Sequence, residues 1–181
     1  MTQAQILSPD APTPPPAEAW IDLAVRSFAI GRLARARFQI RTLEEADKLS
    51  AMLASQYPVP ERVLTGIWEL LSNAIEHGNL EIAFDLKTQF MQSCCYPQEV
   101  ARRMELPCFA SRVVRVGFKR RMKSIRLRIC DAGPGFDFAY YADAPLAEGP
   151  NGRGILIATK FSFDKVIYHG RGNLVDAVVR L

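Results

Sequence analysis

The run Glu69-Leu-Leu-Ser-Asn73-Ala-Ile-Glu-His77-Gly78 decides how this chain is read. At about 100° per residue, Val63, Ile67, Leu70, Leu71 and Ala74 fall on one face, which predicts an amphipathic helix with a core side. Glu69, Asn73 and His77 form a second stripe at i, i+4 and i+8. A carboxylate and an amide oxygen one turn apart suit different tasks. The amide oxygen is a hard ligand for Mg²⁺, and the carboxylate can take a proton from an attacking hydroxyl or water. The same stripe also fits a solvated polar face on a core helix. The helix is expected over 61–77, opened by Pro58 and Pro60 and stopped at Gly78.

Working toward the N-terminus, Ala34-Arg-Ala-Arg-Phe-Gln-Ile40 alternates, with Ala34, Ala36, Phe38 and Ile40 on one side, and predicts a strand. Thr42-Leu-Glu-Glu45 has capping-box spacing and starts a helix that should reach about Gln56. Residues 1–20 carry Pro9, Pro12, Pro14, Pro15 and Pro16 and read as a flexible, partly polyproline tail. That stretch lacks the basic and apolar regions of a secretory signal, so a cytoplasmic location is the default expectation.

Toward the C-terminus, 80–91 and 97–106 look helical and are separated by Cys-Cys-Tyr-Pro. Arg112 to Lys119 and Ser124 to Cys130 alternate and predict a hairpin. A Gly- and Pro-rich stretch from Asp131 to Arg153 exceeds ordinary loop length, as lids and binding loops do. Gly154 to Phe161 predicts a short helix. Lys165 to His169 and Leu174 to Leu181 predict strands joined by Gly-Arg-Gly-Asn.

Two further motifs follow the first. Asp131-Ala-Gly133-Pro-Gly135 comes after Ile125, Leu127 and Ile129, the inward residues of a strand. An acid at a strand end can accept from an exocyclic amine, and the glycines let a flat ligand approach the backbone. A plain Asp-x-Gly turn is the alternative. Gly152-Arg153-Gly154 precedes the apolar Ile155-Leu-Ile-Ala158. A helix opened by glycines offers N–H groups and its dipole to phosphate, and Arg153 adds a charged contact. A flexible helix start is the alternative.

Singly, each motif has an ordinary structural use. Their order is more specific. An acid–Asn helix, a strand-end D-x-G-x-G, a lid-length loop and a G-x-G helix start together resemble the GHKL ATPase superfamily, the Bergerat fold. The finer likeness is to anti-sigma-factor serine/threonine kinases, carried by Glu69–Gly78, Asp131–Phe136, Gly152–Ile155, Phe161-Ser-Phe-Asp164-Lys-Val166 and Gly172-Asn173. It covers roughly 34–181, with 79–112 as an insertion.

The resemblance implies an α/β two-layer sandwich (α+β), a mixed, mostly antiparallel sheet with helices on one face, as a single domain over 21–181. It implies ATP and Mg²⁺ as cofactors. Asn73 would hold Mg²⁺, and Glu69 would be catalytic, taking the proton of a substrate serine or threonine. Asp131 would meet the adenine amine, with Gly133 and Gly135 beside the base. Gly152, Arg153 and Gly154 would hold phosphate, and the lid would run from about Phe136 to Asn151. Many relatives have Thr where this chain has Asn173, a position that supports the adenine-binding acid.

Two functions follow as expectations: a protein kinase that phosphorylates an antagonist protein in a partner-switching pathway, or an ATP-sensing interaction module without transfer. The partner in either case is a protein, such as the antagonist or a sigma factor. A homodimer is left open.

Composition bounds the rest. A chain of 181 residues that is 49% hydrophobic and 23% charged is long enough and apolar enough to bury a core. No run approaches the about 18 apolar residues of a membrane span. The net charge of +4 is low for a dedicated nucleic-acid binder. Arg112, Arg115, Lys119, Arg120, Arg121, Lys123, Arg126 and Arg128 nevertheless crowd one hairpin. This reads first as a solvated, charge-protected sheet face, with nucleic acid not expected and an acidic protein partner possible in principle. The four cysteines form no C-x-x-C and only two histidines are present, so a structural zinc site is not expected. His77 reads as a helix-end structural residue. A sensor histidine kinase fits less well, because neither His77 nor His169 sits in a phosphoacceptor hairpin.

Overall fold

The computed structural model describes residues 31–138 and 154–181. The Pro-rich tail, Gly152, Arg153 and all but Phe136–Phe138 of the expected lid lie outside the described residues.

Strand β1 (Arg35–Ile40) leads into α1 (Leu43–Ala54) and α2 (Pro60–Asn73). Three helices follow, α3 (Phe84–Gln92), α4 (Tyr96–Glu105) and α5 (Pro107–Ala110). The hairpin β2 (Val114–Arg121) and β3 (Ser124–Cys130) comes next. After the undescribed segment come α6 (Gly154–Leu156), β4 (Lys165–His169) and β5 (Leu174–Arg180).

Among the described residues the strands form one open sheet in the order β1-β2-β3-β5-β4. Each neighbouring pair is antiparallel. The expected mixed sheet is therefore corrected: β5 enters between β3 and β4 antiparallel to both. The coarser reading holds, an α+β fold with a helical layer on a sheet.

Strand alternation sets the layers. Val114, Val116 and Phe118 of β2, Ile125, Leu127 and Ile129 of β3, and Val175, Ala177 and Val179 of β5 are buried. They meet Leu49 and Leu53 of α1 and Val63, Ile67, Leu70 and Leu71 of α2 in one core. Tyr57, in the turn between those helices, packs edge-on to Phe118 and Phe163 with ring centroids 6.1 and 6.4 Å apart. The opposite sheet face carries the exposed arginines and lysine of β1, β2 and β3.

The capping box forms as its spacing predicts. The Glu45 N–H donates to Thr42 Oγ1 at 3.0 Å, and the Thr42 N–H donates to Glu45 Oε2 at 3.0 Å. Thr42→Ala is expected to lower stability by about 1 kcal/mol with nucleotide binding unchanged, measured by urea denaturation.

The expected stop at Gly78 is corrected. α2 continues through a π-helical turn over Ala74–Asn79, closed by the Leu80 N–H to Ile75 O at 2.9 Å. Gly78 has no positive φ there. α6 likewise runs into a π-helical turn over Ile157–Ser162. Among the described residues, no helix is long and apolar enough to cross a membrane.

Candidate nucleotide site

A cavity of about 500 Å³ opens between α2, the ends of β3 and β5, α6 and the first residues of α3. Its position follows from close backbone approaches. A Cβ on Gly66 would lie 2.3 Å from the Ser162 side chain, so α2 and the second π-helical turn pack with no side chain between them. One turn along α2, that contact sets Gly154 over Glu69 and Asn73. A Cβ on Gly154 would stand 2.2 Å from Glu69 Oε2 and 3.3 Å from Asn73 Nδ2.

The other end is built around Asp131. A Cβ on Gly78 would lie 2.5 Å from Asp131 Cγ, and one on Gly133 would lie 2.2 Å from Gly78 O. The π-helical turn thus carries Gly78 against the loop that follows β3. The Gly133 N–H donates to Asp131 Oδ1 at 2.8 Å, and the Ala132 N–H donates to Asn79 Oδ1 at 2.8 Å. Gly135 has φ +85° and lies against Arg171 O, a backbone state and spacing that favour glycine. Asn173 donates from Nδ2 to the main-chain carbonyl of Asp131 at 3.3 Å. The amide therefore steadies the backbone that carries the acid, in the place where the resemblance has Thr.

Glu69, Asn73 and His77 all line the cavity, so their stripe faces it rather than open solvent. Asp131, Gly135 and Gly154 line it too. Gly133 does its work one layer back, in the packing against Gly78. Gly152 and Arg153 lie outside the described residues.

Electrostatics divide the cavity. Burial pushes the Glu69 carboxyl above its ordinary range, and the nearby Lys87 charge opposes that shift. Burial also raises Asp131, against the Gly133 N–H that favours its ionised form. No described residue donates to Asp131 Oδ2, which leaves that oxygen for a ligand. His77 Nδ1 lies 2.6 Å from Ile82 O. A carbonyl only accepts, so Nδ1 carries the proton, and burial keeps the ring below its ordinary pKa. His77 is thus neutral, structural on one side and an acceptor through Nε2 on the other. Its ring stacks on Phe84 with centroids 6.3 Å apart.

Sequence reading missed the contribution of the expected insertion. Glu81, Ile82, Phe84 and Lys87 form one wall of the cavity. Lys87 Nζ pairs with buried Glu76 Oε2 at 2.5 Å and lies 5.5 Å from the centroid of the Tyr96 ring. No spacing rule joins Glu76 to Lys87, because an irregular turn separates their helices. Tyr168, also unflagged, lines the cavity beside Phe136, where burial strongly raises its phenol.

The residues present fit a magnesium nucleotide. Asn73 presents an amide that no described residue hydrogen-bonds. Gly154 leaves a cradle that a Cβ would fill, and no described residue donates to Asp131 Oδ2. Among the described residues, no group of three or more His, Cys, Asp or Glu could hold a metal by itself. A cation here would need ligands from nucleotide phosphate as well as from Asn73. No protein-family model matches the sequence, and no curated protein matches it significantly.

Proposed function

We propose that this chain is a Mg-ATP-binding regulatory protein of the GHKL, Bergerat-fold type, and that it acts as a protein serine/threonine kinase on an antagonist protein in a partner-switching pathway. The observation that carries the reading is the meeting of Glu69, Asn73 and Gly154 at one end of a 500 Å³ cavity whose other end holds Asp131. Three motifs far apart in the chain converge on one nucleotide-sized space.

Each residue then has a task. Asp131 accepts from the exocyclic amine of adenine through Oδ2, and Gly135 leaves room for the ring. The N–H groups at the start of α6, beside Gly154, face phosphate oxygens. Asn73 offers its amide oxygen to Mg²⁺. The magnesium nucleotide supplies the phosphoryl group and neutralises charge on the phosphates when bound. Glu69 takes the proton of the acceptor hydroxyl as that oxygen bonds to the γ-phosphorus and the bond to the ADP oxygen breaks. Burial makes Glu69 a stronger proton acceptor than a solvated carboxylate.

Calorimetric titration with ATP and ADP, with and without Mg²⁺, tests the binding step. Asp131→Asn replaces one acceptor by a donor at the adenine edge and is expected to weaken ATP about 50-fold, from the loss of a charged hydrogen bond. Equal affinity in wild type and variant would overturn the site assignment.

A further inference from the structure

The side of the sheet away from the helices is a dense cationic surface. β1 brings Arg35 and Arg37, β2 brings Arg115 and Lys119, and β3 brings Arg126 and Arg128, all exposed. The register sets them in rows across the sheet: Arg35 beside Lys119 beside Arg126, and Arg37 beside Gly117 beside Arg128. Gly117 leaves a dip between Arg37 and Arg128, since a Cβ there would meet nothing closer than 3.9 Å. Among the described strand residues, Asp176 is the sole acid on this face. It is buried and already engaged: Arg128 Nε and Nη2 donate to it at 2.8 and 2.6 Å, and His169 Nε2 lies 3.0 Å away. Arg35, Arg37 and Lys119 have no carboxylate partner among the described residues.

Charge crowding of this kind costs stability through self-repulsion, and an opposite charge relieves it. The other half of the face differs. Across β5 and β4, half-buried Leu174, Val178 and Ile167 stand beside the cations. The surface is therefore cationic on one side, while the other carries an apolar strip of Ile167, Val178 and Leu174 edged by Lys165, His169 and Arg180.

We propose that this sheet face docks an acidic, amphipathic protein segment, whose carboxylates meet the arginines while its apolar side chains cover Ile167, Val178 and Leu174. Arginine suits this partner, because its planar fork takes carboxylates two bonds at a time. A second copy of the chain does not fit: its matching face offers the arginines a single strand carboxylate among the described residues, Asp176, which is buried and already engaged. Nucleic acid fits less well. The described strand residues of this face include no Phe, Tyr or Trp on which a base could stack, the His169 ring is tied to Asp176, and phosphates leave the apolar strip bare. Apart from Leu174, which also borders the cavity, the face lies across the sheet from it, so the proposal does not depend on ATP binding.

The test uses a fluorescein-labelled amphipathic peptide, with Glu on one helical face and Leu on the other, followed by anisotropy with the full chain. The comparison probes are an oligo-Glu peptide, a DNA duplex and phosphatidylserine vesicles. The peptide is expected to bind more tightly than each of these. Arg37→Glu with Lys119→Glu should weaken it about tenfold, through lost pairing and added repulsion. Ile167→Ser should weaken the amphipathic peptide while leaving oligo-Glu unchanged. ATP affinity should not move in the charge variants, because both side chains lie outside the cavity, and thermal unfolding should hold or rise as the charge crowding is relieved. Tighter binding of DNA or vesicles, a peptide affinity indifferent to charge reversal, or no peptide binding would each overturn the proposal.

Discussion

Replacing Gly133 by alanine is expected to destabilise the protein by about 3 kcal/mol, the upper end of what overpacking costs, and to abolish nucleotide binding. The new methyl would lie 2.2 Å from Gly78 O, 2.7 Å from its carbonyl carbon and 2.9 Å from its Cα. All three are backbone atoms, so no rotamer change relieves the clash. Either the loop after β3 lifts or the π-helical turn over Ala74–Asn79 unwinds. Both movements take Asp131 out of place, because its N–H donates to Asn173 O at 3.1 Å and its carboxylate is held by the Gly133 N–H. For a chain of this size the melting temperature should fall by about 10 °C. Gly78→Ala is the informative companion. Its methyl would meet Asp131 Cγ at 2.5 Å, which can rotate away, and Cβ at 2.8 Å, which yields through a small shift of the loop. That variant should melt nearer to wild type and still lose ATP affinity. Thermal melts paired with calorimetry separate the two, and a Gly133→Ala protein that melts like wild type would refute the close packing.

The contrast between Gly78 and Gly133 marks what the sequence could reveal. Periodicity located α2, while the glycines in D-x-G-x-G read as room for a flat ligand, and at Gly133 that space is taken by the chain itself. The body approaching is Gly78, which looks like a helix stop by every local rule. Only the π-helical turn, which adds a residue to the last turns of α2, carries it to Asp131. Such turns have no sequence period. The strand pattern gave the buried face of the sheet, since inward and outward residues alternate strictly. It did not give the order β3-β5-β4, because antiparallel strands with similar patterns can pair in several orders. Lys87 was hidden for a third reason. Its partner Glu76 lies across an irregular turn, where Glu81 holds φ +50°, a positive value uncommon for non-glycine residues. The mild net charge also concealed a local fact: cations from three strands become neighbours only once the register of β1 on β2 and β2 on β3 is known.

Glu69→Gln carries the largest expected effect on activity and separates the kinase from an ATP sensor. Glutamine keeps the shape and cannot take a proton. Phosphotransfer to the acceptor protein should fall about 10³-fold, within the range for a lost general base. ATP affinity should hold or rise, because a half-buried negative charge leaves the end of the cavity proposed to take phosphate. The pH dependence follows from the same burial. A carboxyl raised above its ordinary value protonates earlier as pH falls, so transfer by wild type should fade at a higher pH than a solvated glutamate would give. The sign for stability is the reverse of the usual acid. A raised folded-state pKa means that ionising Glu69 opposes folding as pH rises through that window. Glu69→Gln should therefore melt higher than wild type at neutral pH and like wild type in acid, below both titrations. Labelled-ATP assays across pH, alongside melts of both proteins, read all of this. Equal transfer by both proteins would remove Glu69 as the base, whereas tight ATP binding with no transfer by wild type would favour the sensor. The higher melting of the variant should survive in that second case, since it depends only on where α2 places Glu69.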